Sequence, residues 1–355
     1  QALYSAVSLE LLHNAFLIHD DIEDQSTSRR NKPTMHQYNN SAIAINVGDA
    51  MNVLSLYPLF MNKEKLGPAL SMKIFQEVQH MVTESVEGQA MELGWRKDNV
   101  CGLEDEDYLR MILKKTCWYT CIHPIRIGAI IGSQGKVKPD EFNRFGYFMG
   151  TAFQIQDDVL NLVAEENKYG KEIGGDIIEG KRTLMLIHLL KHCNSRELKK
   201  IKEFLAIPIC NRDTETAAWI LQLMHHYNSL GYSRNISKYM AGAALKEFYS
   251  IFSALPGSKD KTFIESLMIY MLNRDYCCFM ITIRSIHTSD CDVLIAGGGP
   301  AGSALAFHLA SKGVRVVVAE AQRFPRDKVC GDGVSPVALA ELQTMGIEGM
   351  DNFAK

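Results

Sequence analysis

The chain has 355 residues, of which 46% are hydrophobic and 22% are charged, and its formal net charge is −3. These values are ordinary for a folded protein of two or three domains, and the small negative charge argues against a general nucleic-acid-binding protein. The nine cysteines include no CxxC pair, which argues against a zinc site or a disulfide framework and predicts a cytoplasmic protein. No uninterrupted apolar run is long enough to predict a membrane span.

Residues 1–276 have the periodicity of amphipathic helices. Leu9, Leu12 and Phe16, for example, fall on one helical face, and proline is sparse throughout the region. The pattern predicts an all-α domain over residues 1–276. Its first residues already have the pattern of a helix interior, and the last residues of the chain stop in mid-pattern, so we expect this chain to be part of a longer protein.

An acidic motif, Asp20-Asp21-Ile22-Glu23-Asp24, is the first chemically distinctive segment. On a helix, Asp20 and Asp24 share one face, where their carboxylates repel each other unless a cation neutralises them. Hard oxygen ligands suit Mg²⁺, which binds a few carboxylates together with phosphate oxygens. Arg29 and Arg30 follow closely, and the planar fork of an arginine suits diphosphate oxygens.

A second acidic motif repeats this spacing at Asp157-Asp158-Val159-Leu160-Asn161. Basic residues follow it as they follow the first motif: Lys168, Lys171, Lys181 and Arg182. A single acidic cluster on a helix is usually a solvated surface, and this alternative applies to either motif taken alone. Two copies, each followed by cations, instead predict one cavity that handles a diphosphate through several metal ions.

The pattern changes after Tyr276. Residues 277–290 are the predicted linker, and residues 291–355 begin with an apolar run that predicts a strand over 292–296. A glycine turn with Gly297, Gly299 and Gly302 follows, then an amphipathic stretch, a second β-branched run over 314–318 and Glu320. This order predicts the first βαβ unit of a Rossmann-like fold, whose glycine turn binds a pyrophosphate and whose acidic residue accepts from ribose hydroxyls.

Residues 1–276 resemble the trans-isoprenyl diphosphate synthases, which include the geranylgeranyl diphosphate synthases. The two acidic motifs match the first and second aspartate-rich motifs of that family. The other matching segments are Arg29-Arg30 with Pro33 and His36, Gly48-Asp49, Gly88-Gln89, Lys115-Thr116, Phe153-Gln154, and Gly170-Lys171 through Asp176 to Lys181-Arg182-Thr183. The resemblance implies the all-α isoprenoid synthase bundle and a homodimer.

The same resemblance implies a magnesium-dependent condensation of isopentenyl diphosphate with an allylic diphosphate. The implied metal-binding residues are Asp20, Asp21, Asp24, Asp157, Asp158 and Asn161. The implied diphosphate-binding residues are Arg29, Lys115, Lys171 and Lys181, those near the allylic cation are Thr116 and Gln154, and those for isopentenyl diphosphate are Arg30 and His13. Charge stabilisation at the leaving diphosphate is usually the largest catalytic contribution in such a reaction.

Two features depart from the family pattern. Asn161 stands where the family usually has aspartate, and we expect its neutral amide oxygen to act through a metal-bound water. The basic glycine-lysine-arginine segment that precedes the first motif in the family is missing from this chain. Since that segment anchors isopentenyl diphosphate, we expect this chain to be less than fully active.

The residues one helical turn before Asp20 bear on product length. There the small Ala15 leaves room for a long prenyl chain, whereas Phe16 limits it. This combination favours geranylgeranyl diphosphate as the product, with farnesyl or longer polyprenyl diphosphates as alternatives.

The segment from Arg323 to Gly333, followed by Ser335-Pro336, resembles the flavin-dependent geranylgeranyl reductases. This resemblance covers about residues 291–350 and implies FAD binding through the residues Gly297, Gly299, Gly302 and Glu320, with most of the flavin and substrate sites absent. Such reductases saturate prenyl chains on lipids or quinones. A synthase joined to one favours a geranylgeranyl product, a role in membrane-lipid synthesis, and peripheral membrane contact through the reductase part.

Three alternative functions stay open. A class I terpene cyclase shares the fold and the first motif, but its second motif is usually of an Asn-Ser-Glu type. A non-catalytic regulatory subunit of a synthase tends to lose its aspartates, whereas this chain keeps most of them. In the third alternative, the oxidoreductase is the main activity and the helical region has no activity of its own. Flavin absorbance of the full-length protein would test this alternative.

Overall fold

A computed structural model describes residues 2–30, 32–163, 174–273, 292–296, 306 and 308–319. The chain divides into two compact units, Gln1–Cys277 and Cys278–Lys355. The described part of the first unit is helical almost throughout, whereas that of the second includes a parallel pair of strands.

The first unit is a bundle of α-helices, which confirms the all-α prediction. Among its described residues the helices are α1 (Leu3–Glu23), α2 (Met35–Tyr38), α3 (Ser41–Leu54), α4 (Leu56–Leu66), α5 (Pro68–Lys97), α6 (Asp105–Ile112), α7 (His123–Gly132), α8 (Asn143–Val163), α9 (Gly175–Glu179), α10 (Leu184–His192), α11 (Ser195–Ala206), α12 (Thr214–His226), α13 (Ser229–Ile251) and α14 (Lys259–Asn273). A π-helical segment, Leu113–Ile122, joins α6 to α7, and 3-10 turns occur at Pro139–Phe142 and Ile209–Asn211.

The helices that carry the two acidic motifs belong to one packed core. Helix α8, with the second motif, packs against α13 and against the π-helical segment, which also packs against α5. Helix α1, with the first motif, packs against α3 and α4. Buried apolar clusters fill the space between helices, such as the cluster that joins Phe145 and Ala152 of α8 to Phe248 of α13. This burial fixes the positions of the helix faces that carry the polar motifs.

Two glycines allow the π-helical segment to approach its neighbours closely. A Cβ at Gly88 of α5 would lie 2.2 Å from the backbone nitrogen of Lys115, and a Cβ at Gly150 of α8 would lie 2.9 Å from the sulfur of Cys117. A side chain at either position would collide with this densely packed segment. Glycine at these two positions therefore sets where Lys115 lies, and π-helical turns are frequently found at functional sites.

A tight hairpin follows α1. Strand β1 (Ser28–Arg29) pairs antiparallel with β2 (Lys32–Pro33), and Arg30 between them has a left-handed conformation with φ 53°. The turn brings the chain back towards α1, where the side chain of Arg29 reaches Asp21. The hairpin thus places a cation beside the first acidic motif.

One stretch among the described residues, Ser41–Leu66, is long and apolar enough to cross a membrane by length and composition alone. Asp49 and Asn52 lie within this stretch, so it contains no long uninterrupted apolar run. In the fold the stretch forms two helices, α3 and α4, which are separated at Ser55 and pack against α1. A core helix of a soluble protein can have the same length and apolar composition, so this stretch gives only weak support for membrane insertion.

In the second unit, strand β3 (Val293–Ala296) pairs in parallel with strand β4 (Val316–Ala319), with Val293 opposite Val316. Parallel pairing of two consecutive strands requires a crossover connection, as in a βαβ unit. The Rossmann-like fold as a whole stays a prediction. The predicted linker (277–290) and the predicted FAD-binding residues Gly297, Gly299, Gly302 and Glu320 lie outside the described residues.

Candidate active site

Both acidic motifs contribute to one cavity of about 800 Å³ in the first unit. Its walls come from α1, α5, the π-helical segment, α8 and the residues that follow α9. Asp20 and Asp157 line it, and so do cationic side chains of Arg29, Lys115 and Lys181. Away from these charges the lining includes apolar side chains: Leu12 and Phe16 of α1, Leu59 of α4, and Phe75 and Val78 of α5. The cavity therefore combines a charged part with an apolar part.

Asp21 of the first motif is held by Arg29. The guanidinium donates from Nε and Nη2 to the Asp21 carboxylate at 2.6–2.9 Å, and its Nη2 lies 3.4 Å from Asp20 Oδ2. Burial would lower the pKa of Arg29, but the Asp21 and Asp20 carboxylates raise it. A forked pair of this kind is strong and directional, so one arginine neutralises part of the first motif.

The last aspartate of the first motif, Asp24, is buried between two cations. Its Oδ1 accepts a hydrogen bond from Arg96 Nη1 at 2.5 Å, and its Oδ2 lies 2.7 Å from Lys181 Nζ. Burial would raise the pKa of Asp24, but the neighbouring cations lower it below the ordinary value. The carboxylate is therefore ionised and already has positive partners.

Lys115 lies in the π-helical segment between two acids. Its ammonium contacts the buried carboxylate of Glu92 and lies 3.4 Å from Asp20 Oδ1. Burial would lower the pKa of Lys115, but Glu92 and Asp20 raise it well above its ordinary value. The side chain is therefore a permanent cation at the cavity wall, as recognition of a diphosphate requires.

Asp158 of the second motif has neutral partners. It accepts hydrogen bonds from Tyr108 Oη and Gln154 Nε2, both at 2.7 Å. Gln154 Oε1 in turn accepts from the Thr116 hydroxyl at 3.0 Å. Burial raises the pKa of Asp158 to about 8. This chain of hydrogen bonds fixes Thr116 and Gln154, the two side chains predicted to lie near an allylic cation.

The other members of the second motif differ from each other. Asp157 is half-buried and lines the cavity. Asn161 is buried, and its side-chain oxygen accepts from the backbone N–H of Asp176 at 3.1 Å, which ties α8 to α9. Lys181, just after α9, lies 2.7 Å from Glu179, and burial raises the pKa of Glu179 to about 7.

The remaining predicted residues lie apart from these contacts. His13 stacks on Tyr119, which lines the cavity, with ring centroids 5.8 Å apart, and burial lowers the pKa of His13. Arg30 is exposed at the hairpin turn. Lys171 lies outside the described residues. The roles predicted for these three residues stay predictions.

The Polyprenyl synthetase family model matches residues 1–226, which is more than half of the chain. The chain belongs to this family. It is 35% identical over 205 residues to a short chain isoprenyl diphosphate synthase of Methanocaldococcus jannaschii, an alignment that covers 58% of this chain and 61% of the relative. It is 33% identical over 199 residues to a geranylgeranyl diphosphate synthase of Sulfolobus acidocaldarius, covering 56% of this chain and 59% of the relative.

The fold agrees with this membership of the polyprenyl synthetase family. The structure is similar to that of a geranylgeranyl pyrophosphate synthetase from Pyrococcus horikoshii, with a TM-score of 0.66 and 30% identity over 77% of this chain and 80% of the other. The matches to the Methanocaldococcus and Sulfolobus proteins span about three fifths of the length of each relative. A second family model, FAD binding domain, matches residues 290–351, so the chain resembles a fusion of the two families.

The sequence alone did not predict several buried residues of this polyprenyl synthetase site. Glu92 and Arg96 follow Gly88 at helical spacing on one face of α5, which could have indicated them. Their partners lie far away in the chain, however, and spacing cannot reveal such pairs. Tyr108 has an apolar helical pattern around it, so nothing in the sequence marks its hydroxyl as the partner of Asp158.

The donor atoms of the polyprenyl synthetase site fit a hard cation such as Mg²⁺. Carboxylates of Asp20 and Asp157 line the cavity from two helices, and Mg²⁺ is usually bound by one or two carboxylates together with substrate phosphates. Within the described ranges, no cluster of three or more Asp, Glu, His or Cys side chains is arranged to hold an ion by itself. An ion bound by the Asp20 and Asp157 carboxylates would complete its coordination with other oxygen ligands, such as phosphate oxygens.

Proposed function

We propose that this chain is a magnesium-dependent trans-prenyltransferase, which condenses isopentenyl diphosphate with an allylic diphosphate to give a longer trans-prenyl diphosphate. The observation that carries the proposal is a single cavity with acidic and cationic side chains in one part and apolar helix faces in the other. A diphosphate requires the first part, and a growing prenyl chain requires the second. Membership of the polyprenyl synthetase family supports this assignment.

In this proposal Asp20 and Asp157 would hold Mg²⁺, and Asp24 would contribute when its cationic partners Arg96 and Lys181 release it. The ion, when bound, supplies positive charge to the diphosphate oxygens. Lys115 and Arg29 bind the same oxygens and stabilise the negative charge that develops as the allylic carbon–oxygen bond breaks. Diphosphate leaves with the electron pair of that bond.

Once the diphosphate has left, stabilisation of the allylic cation depends on the hydrogen-bonded pair Thr116 and Gln154. Because Asp158 and Tyr108 fix the Gln154 amide, the Gln154 and Thr116 oxygens are held in place to stabilise the allylic cation. The double bond of isopentenyl diphosphate attacks this cation and forms the new carbon–carbon bond. A proton is then lost to the departing diphosphate, which restores a double bond.

The proposed product is geranylgeranyl diphosphate. Ala15 is completely buried, and Phe16 lines the cavity with its ring edge-on to Tyr119 at 5.9 Å. The cavity continues beyond Phe16 to Leu12 and Leu59, so the ring narrows the path for the prenyl chain without ending it. Two of the similar proteins bear the name of this product, those of Sulfolobus acidocaldarius and Pyrococcus horikoshii.

An exposed apolar face supports the proposal of a homodimer. Val53, Tyr57 and Phe60 of α3 and α4 are each about two-thirds exposed, and apolar patches of this kind commonly mark protein interfaces. Leu56 and Val86 are also exposed and line the cavity. A second copy of the chain would therefore cover part of the cavity wall, and sedimentation equilibrium would measure the association.

The FAD binding domain match supports a separate proposal for the second unit. We propose that residues 291–355 begin a flavin-dependent reductase of geranylgeranyl chains, with peripheral membrane contact, in a cytoplasmic protein. Two measurements test this proposal. The first is the flavin absorbance of the purified full-length protein, and the second is its ability to reduce a geranylgeranyl lipid.

The test of the transferase proposal is incorporation of labelled isopentenyl diphosphate into an allylic diphosphate. We expect elongation with Mg²⁺, none after chelation, and loss of elongation in Asp20→Asn. The matched control is Asp260→Asn, which removes a carboxylate from an exposed position of α14. If the full-length protein with intact motifs incorporates no label, the transferase proposal is wrong and a regulatory subunit becomes the better assignment.

A further inference from the structure

Arg212 is a half-buried cation whose hydrogen-bond partners are backbone carbonyls. Its Nη1 donates to the Ile178 oxygen at 2.5 Å, its Nη2 to the Leu205 oxygen at 2.8 Å, and its Nε to the Ile207 oxygen at 2.9 Å. Burial and the positive charges of two other arginines lower the pKa of Arg212 to about 10, so the side chain stays protonated at neutral pH. All three nitrogens of the guanidinium therefore hold main chain.

The carbonyls that Arg212 holds belong to the ends of two helices. Ile178 lies in the last turn of α9, and the other two carbonyls lie at the end of α11. Carbonyls in the last turn of a helix lack a partner within the helix, and a cation there is favourable. The Phe204 ring of α11 adds a cation–π contact, with 5.7 Å between Cζ and the ring centroid. Arg212 thus joins α11 to α9, the helix that precedes Lys181.

The guanidinium lies directly against the residue before Lys181. Gly180 ends α9 with a φ of 73°, and a Cβ at this position would lie 2.5 Å from Arg212 Nη1. Glycine is suited both to the left-handed conformation and to the close approach. On its other side the Gly180 carbonyl oxygen accepts a hydrogen bond from Arg182. The main chain from which the Lys181 side chain extends is therefore fixed by arginines.

From this main chain the Lys181 side chain reaches the cavity, which it lines. Its Nζ lies 2.7 Å from Asp24 Oδ2 and 2.7 Å from Glu179 Oε2, so the ammonium is close to the first acidic motif. A lysine has a flexible stem, and the place its charge reaches depends on where its backbone lies. Arg212 itself is not among the described residues that line the cavity, so any effect on a bound diphosphate has to pass through another residue.

We propose that Arg212 is a positioning residue, which fixes the ends of α9 and α11 and thereby places the Lys181 ammonium where a diphosphate binds. This role rests on the proposed function, because the diphosphate is that of its substrates. One rival explanation is an arginine that only stabilises the fold. The other is a positive charge that attracts diphosphate from a distance. Neither rival requires Lys181, so the coupling between the two residues distinguishes them.

The experiment measures the binding of inorganic pyrophosphate to the full chain by isothermal titration calorimetry in excess Mg²⁺. Lys181→Met removes the ammonium and should weaken binding about thirtyfold, as loss of a hydrogen bond to a charged group does. Arg212→Met keeps the ammonium but misplaces it, so we expect about tenfold weaker binding. The matched control is Arg126→Met, which removes an arginine hydrogen-bonded to Glu77 outside the cavity. It should lower the melting temperature and leave pyrophosphate binding unchanged.

The double variant Arg212→Met with Lys181→Met tests the coupling. It should bind pyrophosphate no more weakly than Lys181→Met, because residues that act through one contact are not additive. Arg212→Lys keeps the charge but lacks the planar fork, so we expect about fivefold weaker binding. Full affinity in Arg212→Lys would overturn the proposal, because charge alone would then be sufficient.

Two further results would overturn the positioning role. One is pyrophosphate binding by folded Arg212→Met, or by Lys181→Met, as tight as that of Arg126→Met. The other is a loss from Arg212→Met that persists in the Lys181→Met background. Should circular dichroism show that Arg212→Met does not fold, Arg212→Lys with and without Lys181→Met decides by the same comparison. If the unmodified chain binds no pyrophosphate, the proposed function itself is overturned, and the role of Arg212 with it.

Discussion

The two acidic motifs have the same spacing on their helices but contact opposite kinds of partner. In the first motif, Asp21 and Asp24 each contact an arginine. In the second motif, Asp158 and Asn161 accept hydrogen bonds from uncharged donors. Spacing therefore identifies the helix face on which carboxylates gather, but the surrounding helices decide what each carboxylate does.

This comparison separates two kinds of position within each motif. Asp20, Asp157 and Asp158 line the cavity, whereas Asp21, Asp24 and Asn161 do not. Asp158 is also buried and accepts hydrogen bonds from Tyr108 and Gln154. A carboxylate that lines the cavity can share a metal ion with a diphosphate. A carboxylate that accepts hydrogen bonds from buried protein donors mainly fixes the geometry of its neighbours. Leaving those buried donors without an acceptor would cost free energy.

Adjacent substitutions in the second motif give the largest expected difference. Asp157→Asn should lower turnover by about 10²–10³-fold, because it removes a charge used to bind the metal that stabilises the leaving group. Asp158→Asn should lower turnover only about tenfold, the effect of disturbing one hydrogen bond to the Gln154 amide. The measurement is the rate of labelled isopentenyl diphosphate incorporation across a range of Mg²⁺ concentrations.

The Mg²⁺ dependence distinguishes the two roles. Asp157→Asn should require more Mg²⁺ for half-maximal rate, whereas Asp158→Asn should keep the requirement of the unmodified chain. Tyr108→Phe removes one donor to Asp158 without touching any carboxylate and is the matched control. If Asp158→Asn raises the Mg²⁺ requirement as much as Asp157→Asn, the distinction between the half-buried Asp157 and the buried, hydrogen-bonded Asp158 is wrong.

The phenylalanines one turn before each motif extend the comparison to product length. Phe16 precedes Asp20 by four residues and lines the cavity, whereas Phe153 precedes Asp157 by four residues and packs against a buried apolar cluster. Phe16→Ala should shift the product to longer prenyl diphosphates, because it widens the apolar part of the cavity. Chromatography of the labelled products after removal of diphosphate measures the chain length.

Phe153→Ala is the matched control for that shift. It removes the same ring from a partly buried position against the core, so it should lower thermal stability by less than the few kcal/mol typical of fully buried phenylalanine truncations and leave the product length unchanged. Identical product distributions from Phe16→Ala and the unmodified chain would mean that another part of the cavity sets the length.

Local pattern was sufficient to predict the helical unit and the faces that carry both motifs. Helical spacing depends only on neighbouring residues, so Asp20 and Asp157 are visible in the sequence as members of acidic helix faces. The position of Phe16 follows from the same spacing, because residues one turn apart on a helix lie on the same side.

The partners of the carboxylates could not be predicted in this way. Asp24 meets Arg96 from a helix 72 residues away, and Asp158 meets Tyr108 from 50 residues away. Such pairs depend on how whole helices pack, and on close approaches such as that of Gly88 to the π-helical segment. A single sequence contains no periodic signal for either, whereas the three-dimensional packing determines both.

A carboxylate outside the cavity provides the reference for these assignments and the smallest expected effect. Glu77 of α5 accepts from Arg126 through both oxygens, at 2.6 and 2.8 Å, and lies 2.8 Å from His123 Nδ1. Burial would raise the pKa of Glu77, but the hydrogen bonds from Arg126 and His123 lower it to about 2. Glu77 does not line the cavity, so its pairing should affect stability and not the metal requirement.

The sign of the pH effect follows from the lowered pKa. A carboxyl group whose pKa is lower in the folded than in the unfolded protein stabilises the fold above its unfolded pKa, and this contribution is lost as the pH falls towards the folded pKa. Glu77→Gln should therefore cost about 1–2 kcal/mol at neutral pH, after allowance for solvent screening. The difference from the unmodified chain should shrink between the ordinary glutamate pKa of 4.5 and about 2.

Thermal unfolding followed by circular dichroism at several pH values measures this difference, with Glu141→Gln at an exposed position as the control. We expect Glu77→Gln to unfold at a lower temperature near pH 7 and to approach the unmodified chain in acid, with an unchanged Mg²⁺ requirement at neutral pH. A raised Mg²⁺ requirement in Glu77→Gln would contradict the comparison, because a carboxylate held by protein cations away from the cavity would then influence the metal as much as one that lines it.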